Sequence, residues 1–297
     1  MLKIFALAGV EVSNMLVLGK RMIFSGLRGK IGADLINLYT KKIFNRDYFE
    51  LDFSIETTSK TIIHMAACSN INKNKKIINS NIRYLNKVIN YANKNKIENF
   101  IFFSAVSVYG RGGYNEIDEN SPLYNPNIYG ISKLIGEEML RQSGIKRVLC
   151  LRLPTVLSVS DNGSFLFKWL NSAIHNRDIT AFNMQNKFNN FISINSLFDF
   201  IFNIKLYDGF DIINLGSSGN LSIYEFIEYL KQKTNSKSNL KDLGKNSFFS
   251  LNLSKAAIKY GFCPLSSEQS IDEWLQNRYE RFYKLRTRPK SSNSIFF

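Results

Sequence analysis

Met22-Ile23-Phe24-Ser25-Gly26-Leu27-Arg28-Gly29-Lys30-Ile31-Gly32 is the stretch that decides the fold. A short apolar run, Met22 to Ser25, meets three glycines at G-x-x-G-x-x-G spacing. From Ile31 the apolar positions take a helical period through Leu35 and Leu38. The order is strand, tight turn, helix. One glycine permits the bend, another lets the backbone approach a pyrophosphate at the positive helix end, and the third lets helix and strand pack closely. A glycine-rich turn without a ligand satisfies the same spacing, so the rest of the chain has to decide between the two.

Working outward, Thr61 to Ala67 reads as a buried strand and Asn99 to Ser104 as another. Between them, Asn79 to Asn93 is a helix with Ile82, Leu85, Val88, Ile89 and Ala92 on one face. Tyr129 to Gln142 is helical, and Arg147 to Leu153 is a strand ending at Pro154. Strands alternating with helices predict an α/β fold, a parallel sheet covered on both faces. After Pro154 the pattern loosens, and Ser160 to Asn190 is rich in Asn and Phe without clean alternation. Asp211 to Leu215 is one more strand. Ser222 and Glu225 form a capping-box signature for a helix running to Leu230. Ser254 to Tyr260 is a short helix stopped by Gly261, and Ser270 to Tyr283 is the last helix. The expected layout is an N-terminal extension over 1–20, a dinucleotide-binding domain over 21–157 with a return strand near 190–216, a smaller substrate-binding region over 158–276, and a basic tail over 277–297.

The 297 residues carry 39 Lys+Arg against 24 Asp+Glu, a formal net charge of +15. Apolar residues at 44% and charged residues at 21% make a globular mix, which excludes wholesale disorder and fibrous repeats. The charge raises nucleic acid or an anionic surface as partners. However, 34 Asn and 33 Ile mark an AT-rich coding bias that itself substitutes Lys for Arg. No nucleic-acid module or clustered aromatic–basic platform accompanies the charge, so no nucleic-acid partner is expected. Cys68, Cys150 and Cys263 are widely spaced in apolar surroundings, neither a disulfide framework nor a zinc set. No metal is expected, and the compartment expected is the cytoplasm. No apolar run reaches the roughly 18 residues of a membrane span.

Tyr129-Gly130-Ile131-Ser132-Lys133 places a phenol and an ammonium at i, i+4, on one helix face. Carbonyl reduction needs a proton donor beside the hydride acceptor. A neighbouring Lys cation lowers a tyrosine from its ordinary pKa of about 10 toward working pH. By itself the pair also fits a surface helix in a chain rich in both residues. Arg28 inside the glycine turn could hold a 2′-phosphate bidentately, which favours NADP(H). Glu50 and Asp52 are the acidic candidates for a 2′-hydroxyl, which favours NAD(H).

Taken in order, these features resemble the extended short-chain dehydrogenase/reductase family, the NAD(P)-dependent nucleotide-sugar epimerases, dehydratases and reductases. The resemblance covers about residues 21–276. It is carried by the glycine turn, His64-Met65-Ala66-Ala67, Ser107-Val108-Tyr109-Gly110, and Tyr129 to Lys133 with Glu137 following. Leu151-Arg152-Leu153-Pro154, Asn190-Phe191-Ile192-Ser193-Ile194, Asn214-Leu215-Gly216, and Ser254-Lys255-Ala256 through Pro264 extend it. The resemblance implies a Rossmann-type sheet with helices on both faces plus a smaller C-terminal substrate region. It also implies that Gly26, Gly29 and Gly32 take the pyrophosphate, that Asp52 lies near adenine, and that Ala66 and Ala67 let the chain pass close to the cofactor. Tyr129 is then the general acid/base, Lys133 holds the ribose and tunes Tyr129, and Pro154 and Thr155 border the nicotinamide.

The chain departs from the family pattern four residues before Tyr109, where Ala105 stands in place of Ser or Thr. Ser104 and Ser107 flank the gap. Ser104 points to the opposite face of a strand from Ala105, so Ser107 is the favoured substitute donor. Only 31 residues separate Gly32 from His64, a compact spacing similar to that of 4-keto-sugar reductases. The expected function is reduction of a nucleotide-diphosphate 4-keto-6-deoxyhexose in surface polysaccharide synthesis, with NADP(H) preferred over NAD(H). A 4-epimerase that retains NAD and a catalytically weakened cofactor-binding protein are the alternatives. Lys168, Arg177 and Lys187 are candidates for the sugar diphosphate, and Asn162, Asn189 and Asn190 for its polar groups. His64 is expected to be a packing residue and His175 a surface residue. The resemblance also implies a homodimer through Asn79–Asn93 and Tyr129–Gln142.

Overall fold

The structure, a computed structural model, describes residues 22–26, 29–34, 60–111 and 116–287, with side chains as far as 278. Arg28, Glu50 and Asp52, the extension over 1–20 and most side chains of the tail lie outside these residues. Strands β1 (Met22–Ser25), β2 (Thr61–His64), β3 (Asn99–Ala105), β5 (Arg147–Leu153) and β9 (Gly209–Asn214) form a five-stranded sheet in the order β1-β2-β3-β5-β9. Every neighbouring pair is parallel. The first helix, α1 over 30–34, follows the glycine turn.

Each strand is apolar on both faces, as a sheet covered on both sides requires. Odd and even positions serve different layers. Ile63, Ile101 and Phe103 pack with α5 (Ile194–Asn203) through Leu197, Phe198 and Ile201. Ile62, Phe100 and Phe102 pack on the other side with Leu85, Val88 and Ile89. Those three residues belong to α2, which runs through Asn74–Ile77, a π-helical segment Ile78–Arg83, and Tyr84–Lys94. Beside α2 lies α3 (Ile128–Arg141), whose N-cap residue Asn127 accepts a bond from the Gly130 nitrogen at 3.0 Å.

Two glycines let α3 sit on the sheet. A Cβ on Gly130 would lie 2.2 Å from the Ser107 carbonyl oxygen, and one on Gly136 would lie 2.8 Å from the Phe102 ring. Neither position tolerates a side chain without moving the helix.

The sequence expectations differ from the structure at several places. The second strand ends at His64, and residues 65–70 leave the sheet as loop. The helix expected from Asn79 starts five residues earlier and contains the π-helical segment. The loosely patterned stretch after Pro154 holds β6 (Thr155–Leu157), α4 (Phe165–Ile174), β7 (Ile179–Ala181) and β8 (Phe191–Ser193). Helix α4 escapes notice because Phe165, Phe167, Trp169 and Ile174 spread apolar residues around its axis. The return near 190–216 divides in two. β8 pairs with β6 in a sheet of their own, and only β9 rejoins the main sheet.

A second core gathers Leu166, Leu170, Phe188 and Phe191 around Phe226, Ile227 and Trp274. Phe226 and Ile227 lie on α6 (Ile223–Thr234), which has the expected capping box, with Ser222 and Glu225 bonding each other's backbone nitrogens. Trp274 lies on α8 (Ser267–Thr287), which follows α7 (Ser254–Tyr260).

His64 is a packing residue at the end of β2. Its ring stacks on Phe102 at 5.9 Å between centroids, and Nδ1 lies 3.0 Å from Ser25 Oγ. Burial, aided by the Lys133 charge, pushes its pKa down to about 3. The folded state therefore keeps His64 neutral while the unfolded chain binds a proton below about 6.5. Because the unfolded state takes up the extra proton, stability falls as pH drops from about 6.5 toward 3. At pH 5 the loss from this residue is about 2 kcal/mol. Thermal unfolding between pH 7 and pH 5 should show a steeper fall for the natural protein than for His64→Gln.

Candidate active site

The C-terminal ends of β1, β2, β3 and β5 open onto one cavity of about 980 Å³. This is near the top of the roughly 300–1,000 Å³ range of ligand pockets. Its walls bring together Gly26, Gly29, Gly32, Ala67, Ser104, Ser107, Tyr129, Lys133, Pro154 and Thr155. These residues come from distant parts of the sequence and were all expected at one site.

The glycine turn is closed by its own backbone. The Gly29 nitrogen donates to the Gly26 carbonyl at 3.0 Å, and Ala33 continues into α1 by donating to Gly29 at 2.8 Å. Gly26 has φ +96°, and a Cβ there would lie 2.4 Å from the Ala66 nitrogen. Ala66 thus packs against the turn, whereas Ala67 faces the cavity. The two alanines therefore do different work.

Tyr129 and Lys133 share one face of α3, one turn apart. Lys133 is buried, and its Nζ donates to the Phe103 carbonyl at 2.6 Å. The ammonium also lies 4.7 Å from the centroid of the Phe102 ring and 5.8 Å from that of Tyr129. Burial lowers its pKa to about 7, against the opposing pull of Cys150 and Glu137. Tyr129 is pushed up to about 12 by burial, with Cys68 acting in the same direction. With the ammonium turned to the Phe103 carbonyl, the Tyr129 phenol keeps its proton at neutral pH.

The gap at Ala105 resolves between the two flanking serines. Ser104 is buried and donates its proton to Glu137 Oε1 at 2.5 Å. That carboxylate is in turn paired with Arg152, at 2.8 Å to Oε2 and 3.1 Å to Oε1. The Ser104 hydroxyl is therefore committed. Ser107 Oγ is buried, lines the cavity, and has no hydrogen-bond partner among the described residues. Strand alternation does not place Ser107, because β3 ends at Ala105 and Ser107 lies on a 3₁₀ turn, Val106–Tyr109. The turn, rather than strand alternation, brings this hydroxyl to the cavity.

Several supporting residues left no pattern in the sequence. Asn81, inside the π-helical segment of α2, accepts from the Cys68 nitrogen at 2.7 Å. It donates to the Cys68 carbonyl at 3.0 Å and to Ser132 Oγ at 2.9 Å. Ser132 in turn donates to the Tyr129 carbonyl at 2.7 Å. This chain ties the loop after β2 to the helix that carries Tyr129. Segments of π-helix are frequent at functional sites.

The expected diphosphate ligands do not line this cavity. Lys168 and Arg177 are exposed on and after α4, and Lys187 bridges to Ser222 through its backbone. Asn189 exchanges bonds of 2.8 and 2.9 Å with the Leu251 backbone, and Asn190 donates to the Phe249 carbonyl at 2.8 Å. Both asparagines fasten the residue before β11 (Ser250–Leu251) and β11 itself, which pairs with β4 (Glu116–Ile117) as β10 (Leu240–Asp242) pairs with β7. Asn162 accepts from Lys30 at 2.7 Å, and His175 is exposed. Lys30, which the sequence did not single out, is the cation at the cavity wall beside the glycine turn. Among the described residues, no group of His, Cys, Asp and Glu could hold a metal ion. None of the described helices is long and apolar enough to cross a membrane.

Residues 25–206, more than half of the chain, match the NAD dependent epimerase/dehydratase family, and the chain belongs to that family. A curated relative from Escherichia coli O157:H7, N-acetyl-alpha-D-glucosaminyl-diphospho-ditrans,octacis-undecaprenol 4-epimerase, is 27% identical over 150 residues. That match spans 48% of this chain and 45% of the relative, so less than half of the relative's length is covered. Among solved structures, UDP-glucuronic acid 4-epimerase from Bacillus cereus in complex with NAD aligns with a TM-score of 0.70 at 17% identity, covering 89% of this chain and 97% of that one. RMD from Pseudomonas aeruginosa complexed with NADPH aligns with a TM-score of 0.68 at 16% identity, covering 88% and 99%. At such identities the structures establish a shared fold, a parallel sheet with helices on both faces.

The two serines are separable by substitution. Loss of one oxyanion donor costs about 10²–10³ in rate. Ser107→Ala should lower kcat by that amount with an unchanged melting temperature. Ser104→Ala should act chiefly on stability, through the buried Glu137 that loses a donor. Steady-state kinetics with thermal unfolding of both variants checks the assignment.

Proposed function

We propose that this chain moves a hydride between a nicotinamide cofactor and a sugar carbon of a nucleotide-diphosphate sugar, acting as a 4-epimerase. The observation that carries the redox reading is the meeting of Tyr129, Lys133 and the partnerless Ser107 hydroxyl with the glycine turn in one cavity. The residues present suit a dinucleotide: Gly26, with no room for a Cβ, and Gly29 stand at the head of α1 in the cavity wall, and Pro154 and Thr155 line the same cavity. A bound nicotinamide would supply and accept the hydride. Tyr129 passes a proton to or from the reacting oxygen, and Ser107 donates a hydrogen bond to that oxygen as charge develops on it. Lys133, with an ammonium already close to losing its proton, orients the cofactor and adjusts Tyr129. Epimerisation is the reading supported by the names of the E. coli and B. cereus relatives.

Net reduction of a 4-keto-6-deoxyhexose is the second reading, favoured by the 31 residues between Gly32 and His64. Arg28 in the turn favours NADP(H). Either reaction would fit synthesis of a surface polysaccharide. The two readings use the same residues and differ in whether the cofactor leaves after one turnover.

One assay separates them. Purified protein is incubated with NAD or NADPH and a panel of nucleotide-diphosphate hexoses and their 4-keto-6-deoxy derivatives. An epimerase yields the C4-inverted sugar by proton NMR with no net change in reduced cofactor. A reductase consumes one NADPH per sugar. In either case Tyr129→Phe should lose at least about 10²-fold. No turnover on any member, with cofactor bound, would leave the weakened cofactor-binding protein as the correct reading.

Helices α2 and α3 leave Ile78, Ile131 and Ile135 exposed, which supports a homodimer through these two helices. Ile131 and Ile135 lie one turn apart on α3. The double substitution Ile131→Asp/Ile135→Asp should convert a dimer to a monomer in sedimentation velocity, with the far-UV circular dichroism of a folded chain and a melting temperature that no longer rises with protein concentration.

A further inference from the structure

Asp34 is a buried carboxylate on α1, only 1% exposed, with no part in the chemistry described above. Burying a carboxylate is costly unless it is paired and hydrogen-bonded. Its partner comes from 126 residues away. Ser160 Oγ donates to Asp34 Oδ1 at 2.5 Å, and the Ser160 nitrogen donates to Oδ2 at 2.9 Å. Lys30 sits one turn earlier on the same helix face. It donates to Asn162 Oδ1 at 2.7 Å and lies 4.0 Å from Asp161. The first helix after the glycine turn thus grips the loop 158–164 at two successive points.

The far side of that loop is held as firmly. From α8, Trp274 Nε1 donates to the Ser158 carbonyl at 3.1 Å. Arg278 donates to the Ser158 and Asp161 carbonyls at 3.3 and 3.0 Å. Within the loop, Asp161 accepts from the Gly163 and Ser164 nitrogens, and Ser164 caps α4. Ser158, Asp161, Gly163 and Ser164 line the same cavity as Gly26, Gly29 and Lys30. The loop and the glycine turn therefore both contribute to the cavity wall, with Asp34 and Lys30 joining the two.

We infer that Asp34 is a positioning residue whose bond to Ser160 clasps the loop 158–164 against the cofactor cleft and slows release of a bound dinucleotide. The inference rests on the reading that the cavity holds a nicotinamide dinucleotide, and it adds the device that keeps it there. A clasp of this kind suits a reaction that returns its hydride before the cofactor departs. Asp34 itself touches no reacting atom, so its effect is on exchange rather than on chemistry.

The test measures release of bound NADH or NADPH from the full chain by stopped-flow fluorescence, displacing it with excess oxidised cofactor. The variants are Ser160→Ala, which removes one bond at the loop end without touching α1, and Asp34→Asn, which keeps the shape and loses the charge. Losing a hydrogen bond to a charged group should raise the release rate by about tenfold or more. The association rate of Ser160→Ala should stay at the wild-type value while its melting temperature falls, as loss of a donor to a buried carboxylate requires. Ser222→Ala, which weakens the cap of the distant α6 and also lowers the melting temperature, should leave the release rate unchanged, a split that general loosening of the fold would not give. If the natural protein binds neither dinucleotide, the site reading fails and the clasp with it. If it binds one and both variants release it at the wild-type rate, the clasp alone is overturned.

Discussion

The closeness of α3 to the sheet is the constraint on which the site depends. Gly130 presses against the Ser107 carbonyl and Gly136 against Phe102, with no room for a Cβ at either. This contact brings Tyr129 and Lys133 to the end of β3, where Ser107 turns out of the strand. It also buries Lys133 against the Phe103 carbonyl and the Phe102 ring, so the same packing that places the ammonium lowers its hold on its proton. Beneath, the Glu137–Arg152 pair, with both side chains 5% exposed, pins the helix to β5. Removing one partner of such a pair leaves an uncompensated buried charge, so it fixes position more than it adds stability.

A second close approach does for the wall at the glycine turn what α3 does for the wall at Tyr129. Gly26 lies against Ala66 and so joins the glycine turn to the loop after β2. That loop is held by Asn81, which reaches the backbone of Tyr129 through Ser132. The two walls are therefore mechanically linked through polar side chains in a layer that is otherwise apolar. A fully satisfied buried network of this kind specifies one arrangement, because each alternative strands a donor or an acceptor.

Much of this was legible in the sequence. The alternation of strands and helices, the glycine turn, the Tyr129–Lys133 pair and the Ser222–Glu225 capping box are local patterns with fixed periods, and local patterns survive in a one-dimensional reading. Helix α4 was not legible, because Phe165, Phe167, Trp169 and Ile174 outside its buried stripe hide the helical spacing of Leu166, Leu170 and Ala173. The placement of Ser107 was only half legible, since its position follows from where β3 stops. Asp34, Asn81, Lys30 and Arg152 act through partners up to 132 residues away, and nothing in residue spacing encodes such pairings. Lys168, Arg177 and Lys187 misled for the same reason: a charge read without its place in space is only a charge. The net +15 of the chain is thus a poor guide to the site, where Lys30 and Lys133 are the cations that line the cavity among the described residues.

The central claim is that the glycine turn and the Tyr129–Lys133 helix serve one nicotinamide dinucleotide. Isothermal titration of the full chain with NAD, NADH, NADP and NADPH tests it most directly, repeated on Lys133→Met. The account predicts one site per chain for at least one of the four, weakened at least about tenfold by the loss of the ammonium's contacts. Absence of binding by all four, or binding indifferent to Lys133, would contradict it.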